Sequence, residues 1–232
     1  MNKSRRMAAL ASRALADRGF DVLQVDLYGC GDSDGEFGDA DWAEWRDDVV
    51  EGARWWHAQT GHAPILWSMR AGCLIACEAA SIMGAGQFLF WQPQPAGAQA
   101  LQQFLRLRVA QQALVSTPNS RTKTQDLREA LARGESIEVA GYLLSPGVAL
   151  GLEAASLSLP ASASRVAWME IVPDANTTAR PVAQTRVAAW RSEGLDATLH
   201  AIEGPEFWQT QEIAESRALI DATVRIVDGW CS

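Results

Sequence analysis

Residues 67–72, WSMRAG, join two segments whose composition fixes the fold class. Before the join runs APILWS (63–68), a short apolar stretch; after it comes AGCLIACEAASIM (71–83), small and apolar nearly all round. A buried strand that becomes a buried helix within six residues is one step of a parallel sheet covered on both faces. The turn itself carries a serine, Ser68, and an arginine, Arg70, among small residues. Which of the two stands at its tip decides what chemistry it can do.

The same rhythm continues on either side. Upstream, FDVLQVDLYG (20–29) reads as a nearly continuous apolar strand through Val22, Leu23, Val25 and Leu27. Trp42, Trp45, Val49, Ala53 and Trp56 then trace one face of a long helix. Downstream, QFLFWQP (87–93) is a strand stopped by Pro93, and RVAWMEIV (165–172) and DATLHAIE (196–203) are two more, with a helix from 179 to 193 between them. Ile213, Ile220, Val224 and Val227 mark a terminal helix. Strands alternating with helices predict an α/β fold, a mostly parallel sheet with helices on both faces. Residues 95–163 break the alternation with helices and polar stretches, so the expected organisation is one core domain, 1–94 and 164–232, carrying a helical cap insertion, 95–163. Ser, Thr, Pro and Asn cluster at 116–124 and 156–164, which read as the loosest pieces.

The chain has 232 residues, 48% apolar and 21% charged, with a formal charge of −8. That is enough for one well-buried core, and the negative charge argues against a nucleic-acid backbone as partner. The N-terminal stretch MNKSRRMAALASRALA imitates a leader peptide, but Arg13 and Asp17 interrupt it. It reads instead as an amphipathic helix through Met7, Leu10, Ala11, Ala14 and Leu15, capped by Ser4 and stopped by Gly19. No run is long enough to span a membrane, and the expected location is cytoplasmic. Of the four cysteines, Cys73 and Cys77 fall in the small-residue helix as core residues. The three histidines, His57, His62 and His200, are not spaced with them as ligands, so neither a metal nor a cofactor is implied.

The loop DLYGCGDSDG (26–35) sets Asp26, Gly29, Gly31, Ser33 and Gly35 in the order D-x-x-G-x-G-x-S-x-G. As a phosphate loop its glycine spacing departs from the dinucleotide fingerprint, and its aspartates would repel phosphate. The order resembles instead a turn of α/β-hydrolases, whose nucleophile elbow lies at the next strand-to-helix turn, here WSMRAG. The elbow is strained and needs small residues two before and two after the nucleophile. With Ser68 as nucleophile those positions hold Leu66 and Arg70, both bulky. With Arg70 at the tip they hold Ser68 and Gly72. Sterics favour the second register, with Ser68 as the alternative nucleophile. The histidine position, in EGPEFWQTQE after the last strand, holds Glu206, and the acid position holds Asp174. Arg70, Glu206 and Asp174 are the expected site trio, with an Arg70–Glu206 ion pair replacing a Ser–His pair.

More narrowly, MNKSRRMAALASRALADRGFDVLQVDLYGCGDSDGEFGDA, ILWSMRAG, LFWQP, FLRLR, EVAGYLLSP and EGPEFWQTQEI resemble the exosortase A system-associated hydrolase 2 family of the same superfamily. The resemblance implies an α/β-hydrolase fold and a bacterial role beside exopolysaccharide synthesis and exosortase-mediated protein sorting. The family elbow generally looks like W-G-x-R-x-G, which matches Arg70 and puts Ser68 at its glycine. It also implies N-terminal strands that this sequence lacks, one of which would lie between VLQVDLY and PILWS.

Three functions follow from these residues. One is a serine ester or thioester hydrolase using Ser68, with His200 as its base. The second is a degenerate or unorthodox member that binds an acyl, sugar or peptide ligand under the cap, with Trp67, Met69, Trp91, Gln92 and Trp208 lining the pocket. The third is a structural partner of other proteins, with self-association as a further option. A guanidinium is neither nucleophile nor base at neutral pH, so the Arg70 register favours the second.

Overall fold

The computed structural model describes residues 2–115, 123–210 and 212–231. Four strands form one all-parallel sheet: β1 (Ile65–Met69), β2 (Gln87–Trp91), β5 (Arg165–Val172) and β6 (Asp196–Glu203), in the order β1-β2-β5-β6. The register runs Ser68–Phe90–Trp168–Leu199 across the sheet. Side chains alternate between faces along each strand, and this alternation sorts the core into two layers. Leu66, Phe88, Phe90, Val166, Trp168 and Ala197 belong to one layer, under α2 (Trp42–Thr60), α3 (Gly72–Met83) and α7 (Pro181–Ser192). Trp67, Leu89, Trp91, Met169 and Ile202 belong to the other, under α1 (Asn2–Ala16) and α8 (Arg217–Cys231). Phe88, Phe90, Trp168 and Leu89 are wholly buried. Strands covered on both faces have no polar side, which is why their sequences read as unbroken apolar runs.

The segment 20–29 departs from expectation. Residues 20–27 are extended but form no strand, and 21–26 make no backbone–backbone hydrogen bond among the described residues. Their anchors hold them to helices instead of to β1. Phe20 N donates to Leu15 O, Tyr28 N to Asp48 Oδ2 at 2.8 Å and Trp45 Nε1 to Tyr28 O at 2.9 Å, while Val25 lies against Gly52 of α2. Leu23 and Val25 are therefore part-exposed, and the edge of β1 away from β2 pairs with no described strand. The glycine loop that follows is tied to α1: Arg5 Nη2 donates to Asp26 Oδ2 at 2.7 Å. Gly31 has φ 62, and a side chain there would strike Arg5 and Asp26.

Both terminal helices differ in detail from the sequence pattern. Helix α1 begins before Ser4, which therefore does not cap it, and its buried stripe is Met7, Ala11 and Leu15. Helix α8 begins at Arg217, so Ile213 lies in the preceding loop, exposed.

Between β2 and β5 the chain makes α4 (Gly97–Val115), α5 (Thr124–Ala132), a short antiparallel hairpin of β3 (Ile137–Val139) and β4 (Tyr142–Leu144), and α6 (Pro146–Ala154). The excursion closes on itself, with Ala96 bridged to Ser156 and Leu157 N donating to Pro95 O at 3.0 Å. The stretch 156–164, expected to be loose, is pinned by these bonds and by Ser162 Oγ on Ala85 O at 2.9 Å. Of the polar stretch 116–124, residues 116–122 lie outside the described residues. Leu101, Leu105, Leu131, Leu144 and Val148 share one core layer with Trp42 and Phe90, so the excursion is packed into the body of the domain. Helix α6 seats tightly on α2, where a Cβ at Gly151 would lie 2.1 Å from Cβ of Trp42.

That contact leaves no room for a methyl group. Gly151→Ala is expected to cost about 1–3 kcal/mol by overpacking, read as a lowered urea midpoint. An unchanged midpoint would show that α6 does not seat on α2 in this way.

Candidate functional site

The turn between β1 and α3 places Arg70 at φ 55, in the left-handed region that a side chain occupies at a cost. Its neighbours hold it there. Arg70 N donates to Trp91 O at 3.0 Å, and its carbonyl accepts from Cys73 N at 3.2 Å and Gln94 N at 3.3 Å. The main chain is thus locked between the end of β2 and the start of α3, and the side chain projects from a fixed point. Helix α3 has no side-chain cap, so the positive end of its dipole adds to the arginine.

The guanidinium lies 5.2 Å from the centroid of the Trp208 ring, a cation–π contact. With its amide oxygen turned toward the cation, Gln94 accepts from Nη2 at 2.8 Å and Nη1 at 3.3 Å. Gln103 of α4 accepts from Nη2 at 3.5 Å. Burial pulls the Arg70 pKa down, the nearby Arg180 pulls it further, and Glu206 partly restores it. A guanidinium has reserve enough to remain charged at neutral pH.

The expected trio is only partly assembled. Glu206 is close enough to act on Arg70 electrostatically but makes no ion pair within 4.0 Å with it; its Oε2 accepts from Gln209 Nε2 at 2.9 Å. Asp174 is exposed in the loop after β5, where it closes its own turn by accepting from Asn176 N and Thr177 Oγ1. A short acidic side chain at a turn satisfies local amides first, which removes it from Arg70. The charged pair that the structure builds at this end of the sheet is Glu170–Arg180. Glu170, on β5, is 1% exposed, and it accepts from Arg180 N at 2.7 Å and from Arg180 Nε. The sequence signal was a lone carboxylate inside RVAWMEIV. Nothing pointed to Arg180, ten residues on in a loop.

The expected pocket lining divides by sheet face. Trp67, Met69 and Trp91 point into the layer under α1 and α8. Trp91 is 2% exposed and donates from Nε1 to Thr223 Oγ1 at 3.0 Å, with Trp67 edge-on at 4.7 Å. These three pack the core and do not line the site. Gln92, with φ 46, is also buried, and its side chain accepts from Ile171 N at 2.8 Å, tying β2 to β5. Of the five, Trp208 is the one that meets the Arg70 guanidinium, and its Nε1 is a buried donor without a partner. An open cleft of about 580 Å³ is lined by Ile171, Pro173, Gly204, Pro205 and Glu206, just before Trp208 in the chain.

Solved structures that resemble most of this chain include the following two. The monoacylglycerol lipase of Paleococcus ferrophilus matches with a TM-score of 0.50 and 16% identity over 95% of this chain and 86% of its own. DcsB, solved in complex with its substrate analogue, matches with a TM-score of 0.51 and 15% identity over 93% and 84%. This chain has the α/β-hydrolase fold. No protein-family model matches it, and no curated protein sequence does.

In an α/β-hydrolase fold, acyl transfer needs a nucleophile and a base within hydrogen-bond reach of each other. Ser68 Oγ is buried on the α3 face of β1 against the Cys73 thiol, whose pKa burial drives well up. His200 lies on β6, three strands away and so about 14 Å off at ordinary strand spacing. It also points to the opposite face, where burial, then Arg225 and Arg191, push its pKa down. His57 and His62 sit together before β1, at the other end of the sheet. Among the described residues no three His, Cys, Asp or Glu side chains are grouped to hold a metal. No described helix is long and apolar enough to cross a membrane.

The left-handed backbone of Arg70 has a measurable signature. Arg70→Gly is expected to be more stable than Arg70→Ala by about 1 kcal/mol, because only glycine adopts φ 55 without strain. Equal urea midpoints for the two variants would show that the turn relaxes.

Proposed function

We propose that this chain is a degenerate α/β-hydrolase-fold protein that binds an anionic ligand at the C-terminal end of its sheet. In this reading Arg70 occupies the nucleophile position, Glu206 the histidine position, and residues 95–163 form the cap over the site. The observation that carries it is Arg70 itself, a cation on a strained strand-to-helix turn. Gln94, Gln103 and Trp208 face it, and among the described residues no carboxylate pairs with it within 4.0 Å. A half-buried guanidinium without a counter-ion is a ready partner for a carboxylate or phosphate, which it binds through charge-assisted hydrogen bonds. The wide separation of Ser68 from every histidine weighs against a serine hydrolase. The sequence resemblance to the exosortase A system-associated family supports a bacterial role beside exopolysaccharide synthesis and protein sorting, with the ligand an acyl, sugar or peptide compound bearing the anion.

Two measurements test this reading. A fluorophosphonate probe is expected to leave the protein unlabelled; stoichiometric labelling that disappears in Ser68→Ala would restore the serine enzyme. In a thermal-shift screen of carboxylates and phosphates, Arg70→Ala is expected to abolish the stabilisation given by any hit, and a retained shift would remove Arg70 from the site.

A further inference from the structure

Glu170 is the most deeply buried carboxylate at this end of the sheet, and both of its oxygens are taken by Arg180. Burying a charge is costly unless it is paired and hydrogen-bonded. Here the pairing uses only the main-chain N–H and Nε of the arginine. The two terminal nitrogens of Arg180 carry no protein partner among the described residues, and the side chain is 48% exposed. Glu170 therefore acts as a buried post that fixes a second guanidinium with its donor edge free. Met69 and Met169 are level across the sheet through Trp91, so the next residues, Arg70 and Glu170, stand at the same sheet end. Arg180, held on Glu170, therefore stands at that end with Arg70 and weakens its hold on a proton.

Two cations, Arg70 and Arg180, face two carboxylates, Glu170 and Glu206, and these four charges sum to zero before a ligand enters. A monoanion leaves the group one unit negative, whereas a dianion leaves it two units negative. Glu206 also lines that cleft, with Ile171, Pro173 and Pro205 as apolar walls, and the Trp208 ring lies under Arg70. We infer that Arg180 and Arg70 together hold one monocarboxylate whose apolar tail lies along Ile171, Pro173, Pro205 and Trp208, and that Glu206 excludes dianions. The inference rests on the anion-binding reading above and narrows it to apolar carboxylic acids.

Octanoate and octyl phosphate, which share a tail and differ in charge, separate the possibilities by isothermal titration at pH 8. Octanoate is expected to bind the wild-type protein about tenfold more tightly than octyl phosphate, on the scale by which like charge discriminates between partners. Arg180→Gln should weaken octanoate about tenfold, the worth of one charge-assisted contact. Because that variant strands the Glu170 charge, Glu170→Gln/Arg180→Gln is measured beside it and should weaken octanoate equally. Glu206→Gln should bring octyl phosphate level with octanoate. Wild-type affinity in the double variant would take Arg180 out of the site, and equal affinity of the two probes for the wild-type protein would remove the role of Glu206. If the wild-type protein binds neither probe while another anion still depends on Arg70, this inference falls and the broader reading stands. If no anion depends on Arg70, both fall.

Discussion

The structure turns on the lock between the ends of β1 and β2. Arg70 can hold a left-handed backbone only because its amide and carbonyl are bonded to Trp91 and Gln94, the residues that end β2 and begin the excursion after it. That one junction sets where α3 starts and which way the guanidinium projects. It also brings Gln94 beside the guanidinium and lets Gln103 of α4 reach it. The strain at φ 55 is offset by bonds from two other elements, a common arrangement where a side chain must be presented from a rigid point.

The alternation of side chains along β1 then separates two jobs that the sequence lays side by side. Leu66 and Ser68 go to the face of α3, while Trp67 and Met69 go to the face of α1 and α8. Arg70 escapes both because the chain turns there. A serine two residues before the turn is thereby buried beside Cys73, far from any base, whereas the arginine reaches Trp208 from beyond the end of β6. Among the described residues, this end of the sheet brings Arg70 together with Gln94, Gln103 and Trp208.

The sheet was legible because β5, covered on both faces, stands out as a nearly continuous apolar run, and β6 keeps the bounds read from the sequence although polar residues interrupt it. The stretch 22–27 has a similar composition but is anchored to α1 and α2 instead of to a strand, and composition carries no information about neighbours. Sterics put Arg70 at the tip of the turn, with the small residues Ser68 and Gly72 two before and two after it, and Arg70 is the residue of that turn with a positive φ. The tryptophans misled because residue type does not state which face a strand residue takes; counting parity from Leu66 would have sent Trp67 and Met69 to the core. Asp174 was misplaced because a turn aspartate bonds its own loop. Arg180 was invisible because its role depends on a partner, Glu170, whose significance is that it is buried.

The glycine seat of α6 on α2 bears on how a molecule enters and leaves. A cap that swings needs a hinge and a weakly held underside, yet here Leu101, Leu105, Leu144 and Val148 are sunk into the same layer as Phe90 and Trp42. Lifting them into water would cost about 1.5–3 kcal/mol for each side chain, a sum comparable with the stability of a whole domain. Any rearrangement around Arg70 is therefore left to single side chains such as Gln103 and Trp208, whose rotations are far faster than the collective motions of whole elements.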